Sequence, residues 1–225
     1  MHSKIIGKVF NGFGDVWFMN TFEKIILFGG SFDPIHAGHV CVARHALQAL
    51  DAGKLIFIPA HRSPHKTDLP AAGRHRLAMI RKAIEGIDGF CVSDCELMRP
   101  QPSYTLDTIN YFREQFGSDA VLHWLVGADQ LSSFDRWHRV NELLKRCRVS
   151  VMVRAGYPPP DFSRFKEIFS KDVIDRLKSD VVTTPLIELD STAIRRQIAA
   201  DTIGTDALPA GVLEYIRKNH LYGCS

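Results

Sequence analysis

The chain has 225 residues, of which 45% are hydrophobic and 24% charged, and its formal net charge is +3. This length and composition fit one ordinary domain with a sizeable core. So small a net charge does not indicate a nucleic-acid groove, although it permits anionic ligands such as nucleotides. The five cysteines are odd in number and scattered, which argues against a zinc site, and no apolar stretch is long enough to span a membrane. We therefore expect a reduced cytoplasmic protein without nucleic-acid or membrane partners; the sequence leaves open whether it forms a homo-oligomer.

The first twenty residues differ from the rest of the chain. They lack the continuous apolar run and small-residue cleavage site of a signal peptide. A second methionine, Met19, stands just before the first clear strand. We therefore expect residues 1–20 to be an extension, either an upstream start or a loosely attached arm, and residues 21–225 to form a single domain.

Strands and helices alternate along the remainder. The predicted strands are short apolar runs at 24–28, 54–59, 90–93, 121–126, 149–153 and 181–184. The predicted helices cover about 38–50, 73–84, 103–116, 191–199 and 209–219, and another ends at 141–145. This alternation predicts an α/β fold with a doubly wound, mainly parallel sheet and helices on both faces. Ligands in such folds bind beyond the carboxyl ends of the strands.

The first of these strand ends carries the strongest motif, Gly-Gly-Ser-Phe-Asp-Pro-Ile-His-Ala-Gly-His at residues 29–39. Paired glycines allow a sharp turn and close approach of the backbone to a ligand. His36 and His39 are three residues apart and share a face of the first helical turn. The unpaired N–H groups and the positive end of the helix dipole lie at the same place, so the segment predicts a phosphate site. The alternative is a glycine turn with two incidental surface histidines.

This segment resembles the GxFxPxHxGH signature of the nucleotidyltransferase superfamily. It is neither a Walker loop, which needs Gly-Lys-Ser/Thr, nor the dinucleotide fingerprint G-x-G-x-x-G. In that superfamily the two histidines hold ATP phosphates and stabilise charge in the transition state, and the resemblance assigns these roles to His36 and His39. The implied fold is the Rossmann-like nucleotidyltransferase fold.

Further segments resemble the bacterial nicotinate-nucleotide adenylyltransferases, over about residues 22–222. These are Pro64-His65-Lys66, Ser103-Tyr104-Thr105, Gly127-Ala128-Asp129, Trp137, the segment from Arg154, and Asp190 to Arg195. The family transfers AMP from ATP to nicotinate mononucleotide, with Mg²⁺ held mainly by the substrate phosphates. The acceptor phosphate attacks ATP directly, so we expect no covalent intermediate and catalysis mostly by positioning and charge neutralisation.

The resemblance also distributes the site residues over three roles. Residues expected to neutralise phosphate charge are His36, His39, Lys66 and Arg195. Residues expected to bind ATP are Gly29, Gly30, Ser31, Phe32, Gly38, Gly127, Asp129, Ser191 and Thr192. Residues expected to bind the acceptor are Asp33, His65, Thr105, Trp137, His138 and Arg154.

Several of these residues have ordinary structural alternatives. An ordinary solvated loop is the alternative for His65 and Lys66; we favour the mobile basic loop over phosphates that the resemblance implies, because ligands of α/β folds bind at this edge. Trp137 is as compatible with a core position as with stacking on the nicotinate ring, and Thr105 with a helix start. Arg195 lies one turn beyond Ser191, so both can reach one phosphate, but a solvated helix arginine is the alternative.

One position departs from the family pattern. The family usually has Ile-Ser-Ser/Ala-Thr before the late helix, and here Asp190 stands where a phosphate-binding serine is expected. A carboxylate there repels a triphosphate unless it caps the helix or meets a magnesium ion. The alternatives left open are an enzyme that uses nicotinamide mononucleotide or pantetheine phosphate as acceptor, and a catalytically silent nucleotide-binding module.

Overall fold

The structure is a computed structural model that describes residues 9–11, 14–15, 24–61, 71–100, 102–154, 159–204 and 206–224. Its strands are β1 (Val9–Asn11), β2 (Gly14–Asp15), β3 (Lys24–Gly30), β4 (Lys54–Pro59), β5 (Phe90–Ser93), β6 (Val121–Gly127), β7 (Arg148–Arg154) and β8 (Val181–Thr184). Its helices are α1 (Ala37–Ala49), α2 (Gly73–Ile84), α3 (Thr105–Phe116), α4 (Val140–Arg146), α5 (Lys171–Ser179), α6 (Ser191–Ala199) and α7 (Val212–Lys218). Short 3-10 helices cover Ala128–Arg136, Ser163–Phe165 and Leu221–Gly223.

All eight strands form one sheet in the order β2-β1-β5-β4-β3-β6-β7-β8. The six strands β3 to β8 pair in parallel, whereas β1 pairs antiparallel with β2 and with β5. Counted among themselves, the parallel strands follow the order 3-2-1-4-5-6 of doubly wound nucleotide-binding folds. The chain changes direction between β3 and β6, so the carboxyl ends of these two neighbours flank a crevice.

Each face of the sheet is covered by helices. Ile25 and Leu27 of β3 point into a core shared with α3, α4 and α5. Ile26 and Phe28 point to the other face, into a core shared with α1, α2, α6 and α7. Alternate residues of one strand thus serve two cores, as parallel strands buried on both sides require. The predicted fold class is confirmed.

Two parts of the structure differ from the sequence-based expectations. Helix α5 was not predicted: it is short and mostly polar, and Val173, Ile174 and Leu177 are the apolar residues among its nine. Residues 9–11 and 14–15, inside the predicted extension, form β1 and β2 at the sheet edge. The boundary at residue 20 stays a prediction. Among the described residues, none of the helices combines the length and the apolarity that a membrane crossing needs.

Candidate active site

An open cleft of about 1410 Å³ lies beyond the carboxyl ends of β3 and β6. The N-terminal turns of α1 and α6 line one part of it, and residues 103–105 and 136–138 line another. The cleft therefore occupies the crevice where a doubly wound sheet binds ligands. It brings together most of the predicted site residues, namely Gly29, Gly30, Ser31, Phe32, His36, Gly38, His39, Thr105, Gly127, Asp129, Trp137, His138, Ser191 and Thr192.

His36 and His39 stand side by side at the start of α1. Their rings are stacked, with centroids 3.7 Å apart and planes inclined by 28°. The backbone N–H of His36 donates to Nδ1 of His39 over 3.3 Å. With Nδ1 acting as an acceptor, Nε2 carries the proton of the neutral His39 ring and is its hydrogen-bond donor. The predicted pairing of the two histidines on one face of the first turn is therefore what the structure shows.

Burial sets the charge state of His36. Only 6% of the residue is exposed, and this burial lowers its pKa from 6.5 to about 4, although the negative charge of Asp190 opposes the shift. Its Nδ1 is buried and has no hydrogen-bond partner within the protein. A side chain at Gly38 would place its Cβ 3.0 Å from this nitrogen. Gly38 therefore leaves room for the His36 ring. With its lowered pKa, His36 is a neutral polar group at pH 7.

Asp190 caps helix α6. Its Oδ1 accepts hydrogen bonds from the backbone N–H groups of Thr192 and Ala193, each over 2.9 Å. Of the two arrangements left open by the sequence, the structure shows the helix cap. The next residue, Ser191, donates its hydroxyl to the carbonyl oxygen of Pro34 over 3.1 Å, which ties α6 to the histidine-bearing loop.

Asp33 and Arg195 are placed differently from the other predicted residues, since neither lines the cleft. Asp33 is 8% exposed and accepts a hydrogen bond from the hydroxyl of Tyr222. Arg195 donates to the carbonyl oxygen of Asp33 over 2.7 Å. These contacts engage both side chains outside the cleft lining, at a loop that passes through a left-handed residue, Phe32, with φ of 46°. Roles in direct ligand contact remain predictions for these two residues.

The other end of the cleft is aromatic. Trp137 is half-buried, packs edge-on against Phe134 at 5.3 Å, and has a buried Nε1 without a hydrogen-bond partner. The exposed ring of His138 stacks on Tyr104 at 4.1 Å with planes inclined by 22°. Thr105 begins α3 beside them. Trp137 thus packs against the edge of the core and also forms part of the cleft wall. A core position and the predicted stacking on a ligand ring are therefore compatible for this residue.

Glycines at two strand ends make room for specific neighbours. A Cβ on Gly29 would lie 2.5 Å from the indole of Trp124, a cleft residue that the sequence did not single out. A Cβ on Gly127 would collide with the carboxylate of Asp129. That carboxylate accepts a hydrogen bond from the amide of Gln130 over 2.8 Å. The close approach of β3 to Trp124 has no signature in the sequence.

Three predicted residues cannot be placed. His65 and Lys66 fall within residues 62–70, outside the described residues. Of Arg154 only the backbone, at the end of β7, is described.

Comparison with known proteins supports the architecture and shows the family. The family model described as cytidylyltransferase-like matches residues 27–197. A protein of Rhodopirellula baltica named "Probable nicotinate-nucleotide adenylyltransferase" is 39% identical over 197 residues, covering 87% of this chain and 92% of that protein. A protein of Laribacter hongkongensis with the same name is 36% identical, covering 87% and 93%.

A solved structure shares the fold. The nicotinic acid mononucleotide adenylyltransferase of Plasmodium falciparum, solved in complex with NaAD, aligns with a TM-score of 0.68 at 15% identity, covering 90% of this chain and 98% of that one. The predicted Rossmann-like nucleotidyltransferase fold is therefore confirmed. From the family model and from relatives well above 30% identity over most of the chain, this chain belongs to the cytidylyltransferase-like family and, within it, to the nicotinate-nucleotide adenylyltransferases.

Proposed function

We propose that the chain transfers AMP from ATP to nicotinate mononucleotide, forming nicotinate adenine dinucleotide and pyrophosphate. The observation that carries the proposal is one cleft that brings together a pair of histidines at two helix N-termini and, at its other end, a group of aromatic rings; we call these the phosphate-binding end and the aromatic end, after the roles proposed for them. His36, His39 and the N-termini of α1 and α6 form the first, and Trp137 with the stacked pair Tyr104–His138 forms the second. The family to which the chain belongs supports the same reaction.

The reaction needs no nucleophilic side chain. An oxygen of the acceptor's 5′-phosphate, already ionised at neutral pH, forms a bond to the α-phosphorus of ATP. The bond from that phosphorus to the bridging oxygen breaks, and pyrophosphate leaves with the electron pair. The protein's task is to align the two phosphates and stabilise the charge that develops on them.

The phosphate-binding end supplies donors suited to this task. The protonated Nε2 of His39 is a donor in the neutral ring, and the positive ends of the α1 and α6 dipoles face the cleft. Several N–H groups of these first turns already have partners, since Asp190 accepts from Thr192 and Ala193 and the carbonyl oxygen of Ala207 accepts from Ala37. His36 is neutral before ATP binds, and the approach of phosphate charge would raise its pKa from about 4 toward its ordinary range. Lys66 and Arg195 are proposed to add full positive charges, the former from the segment 62–70.

Magnesium is proposed to accompany ATP rather than to occupy a protein-built cage. Among the described residues, no group of three or more His, Cys, Asp or Glu side chains is placed to hold a metal ion. An ion held by phosphate oxygens and water fits such a site and would supply charge neutralisation on the leaving group. At the aromatic end, Trp137 is proposed to stack on the pyridine ring, and backbone N–H groups of Thr105 and His138 to receive its carboxylate. All five cysteines are free in the structure, in keeping with the proposed cytoplasmic location.

The test is pyrophosphate release from ATP and Mg²⁺ with three acceptors in parallel: nicotinate mononucleotide, nicotinamide mononucleotide and pantetheine phosphate. We expect kcat/KM to be highest for the nicotinate acceptor by at least about tenfold, since the backbone N–H groups of Thr105 and His138 are proposed to receive its carboxylate. The variant His39→Ala should lose about 10²- to 10³-fold in kcat. His45→Ala, two turns further along α1, is the matched control and should retain turnover.

Each contrary result points to a different error. Preference for another acceptor would refute the proposed substrate and leave the phosphate chemistry intact. An absence of release with every acceptor would refute the enzymatic assignment. Near-normal turnover of His39→Ala would refute the role of that histidine.

A further inference from the structure

A buried polar network contacts the loop that precedes His36 and His39, and its side chains Arg76, Asp33, Arg195 and Tyr222 do not line the cleft. Its centre is Arg76 of α2, which is only 1% exposed. The guanidinium donates to the carbonyl oxygens of Ser31 over 2.7 Å, Ala71 over 2.9 Å and His61 over 3.4 Å. One fully buried cation thus joins the loop to both flanks of the segment that contains Lys66.

The second centre of the network is the Asp33 carboxylate. Its Oδ1 accepts from the hydroxyl of Tyr222 over 2.7 Å and from the backbone N–H of Ala71 over 3.1 Å. The guanidinium of Arg195 lies 3.6 Å from Oδ2. Tyr222 belongs to the 3-10 helix Leu221–Gly223 at the C-terminal end of the described chain. Burial and the neighbouring Asp33 raise the pKa of the Tyr222 hydroxyl, so it remains a donor at every physiological pH.

These contacts control which way the loop carbonyls point. The carbonyl oxygens of Ser31, Asp33 and Pro34 accept from Arg76, Arg195 and Ser191 respectively. A carbonyl oxygen turned toward the cleft would repel the phosphates that the loop has to bind. Because Arg76 and Arg195, whose side chains do not line the cleft, hold the carbonyl oxygens of Ser31 and Asp33, the negative ends of these two peptide dipoles are kept away from the ligand.

A purely structural role explains this network less well. Taking a guanidinium out of water costs several kcal/mol, and replacing a buried ion pair with packed apolar residues is often neutral or stabilising. The hydroxyl of Tyr222 adds one hydrogen bond at the edge of the molecule. What the network uniquely provides is a fixed orientation of the loop that precedes His36 and His39.

We infer that Arg76 and Tyr222 are positioning residues for phosphoryl transfer, acting through the carbonyl oxygen of Ser31 and the carboxylate of Asp33. The C-terminal 3-10 helix accordingly contributes to the reaction by holding the loop that binds ATP. This inference rests on the proposed function, but it concerns the ATP-binding loop and is independent of which acceptor is used.

The first experiment compares Tyr222→Phe, which removes only the hydroxyl, with the matched control Tyr215→Phe. The hydroxyl of Tyr215 on α7 contacts Nδ1 of His75 over 3.0 Å and makes no contact with the loop. At a temperature well below unfolding, we expect Tyr222→Phe to lose about tenfold in kcat, as for one hydrogen bond to a charged group, with a smaller change in KM for ATP. Tyr215→Phe should keep kcat within twofold at a similar change in melting temperature.

Arg76 is tested by separating activity from stability. Arg76→Lys retains a donor and should keep part of kcat, whereas Arg76→Met removes every donor and should lose at least about 10²-fold. The free energy of unfolding should follow the opposite order, higher for Arg76→Met than for Arg76→Lys, because an apolar side chain is easier to bury than a charged one. If kcat instead follows melting temperature across the two variants, the positioning role of Arg76 is refuted.

Affinity for a non-hydrolysable ATP analogue, measured calorimetrically, separates this inference from the proposed function. Weaker binding to Tyr222→Phe than to Tyr215→Phe supports the loop role, even if none of the three acceptors turns over. Equal kcat and equal analogue affinity in Tyr222→Phe and the wild type overturn it.

Discussion

At the residue scale, the Asp190 carboxylate stabilises the start of a helix and at the same time places a negative charge in the cleft that is proposed to bind phosphates. Its Oδ1 accepts two backbone N–H groups at the start of α6, where Ser, Thr, Asn and Asp are all suitable caps. It is also the charge that raises the pKa of His36 against the effect of burial. A serine would provide the cap without the charge, so the carboxylate has a cost for phosphate binding that the helix does not require.

The prediction for Asp190 uses three substitutions. Asp190→Asn and Asp190→Ser keep an N-cap and remove the charge, so we expect KM for ATP to fall roughly two- to fivefold. Asp190→Ala also removes the cap and should lower the free energy of unfolding by about 1 kcal/mol. Steady-state kinetics and urea denaturation measure the two effects. A higher KM for ATP in Asp190→Asn would show instead that the carboxylate helps to hold Mg²⁺.

The sequence was informative about residues whose role follows from local spacing. His36 and His39 lie together because three residues separate them at a helix start, and Asp190 could be recognised as a cap. The orientation of Asp33 and Arg195 was not predictable, since it depends on the turn at Phe32 and on Tyr222, 189 residues away from Asp33. Arg76 was missed for the same reason, because a basic residue in a basic helix gives no sign of complete burial.

At the element scale, the close approach of β3 to β6 at the switch point depends on Gly29. A Cβ there would lie 2.5 Å from two ring carbons of Trp124. That indole is 5% exposed and is enclosed by the core beneath the cleft. A ring held in this way cannot move far without displacing its own neighbours.

We therefore predict that Gly29→Ala lowers the free energy of unfolding by about 1–3 kcal/mol, as overpacking does. Gly204→Ala is the matched control, because a Cβ at Gly204 meets nothing within 4 Å; its change should stay within about 0.5 kcal/mol. Urea denaturation measures both. In a double-mutant cycle, Trp124→Phe should recover part of the Gly29→Ala loss, and strict additivity of the two changes would contradict the proposed clash.

Most elements were predictable because their apolar patterns are strong. The strands at 54–59, 90–93 and 181–184 and the helices at 73–84 and 191–199 agree with the structure at both ends. Some predicted boundaries differ from the observed ones next to turns. The helix predicted from residue 103 begins at Thr105, because the backbone of Tyr104 is still extended. The pairing of β1 with β5 depends on a contact between distant segments, which local patterns do not encode.

At the scale of the whole molecule, two buried histidines make the free energy of unfolding depend on pH, one at the start of α1 and one within the sheet. His36 faces the cleft, whereas His123 of β6 shares a hydrogen bond with Ser150 over 2.9 Å. Burial lowers the pKa of each from 6.5 to about 4. Between these values the unfolded chain binds more protons than the folded one, so the free energy of unfolding rises with pH there. The stability present above pH 6.5 is lost as the pH falls toward 4.

This coupling gives the last prediction. Between pH 7.5 and pH 5, each histidine should remove about 1–2 kcal/mol from the free energy of unfolding. His123→Gln keeps a polar partner for Ser150 but does not titrate, so its unfolding free energy should fall less over this range than that of the wild type. The control is His220→Asn, since His220 is exposed at a left-handed position that Asn tolerates.

Urea denaturation at pH 7.5, 6, 5 and 4.5 gives the slope of the free energy of unfolding against pH for the wild type, His123→Gln and His220→Asn. We expect the wild type and His220→Asn to share one slope and His123→Gln to have a shallower one. Equal slopes in all three proteins would mean that His123 does not stay neutral in the fold, because a histidine protonated equally in both states contributes nothing to the pH dependence of stability. His36→Gln should flatten this pH dependence further when combined with His123→Gln, because His36 lies at the start of α1 and His123 within β6, and the effects of separate sites should add.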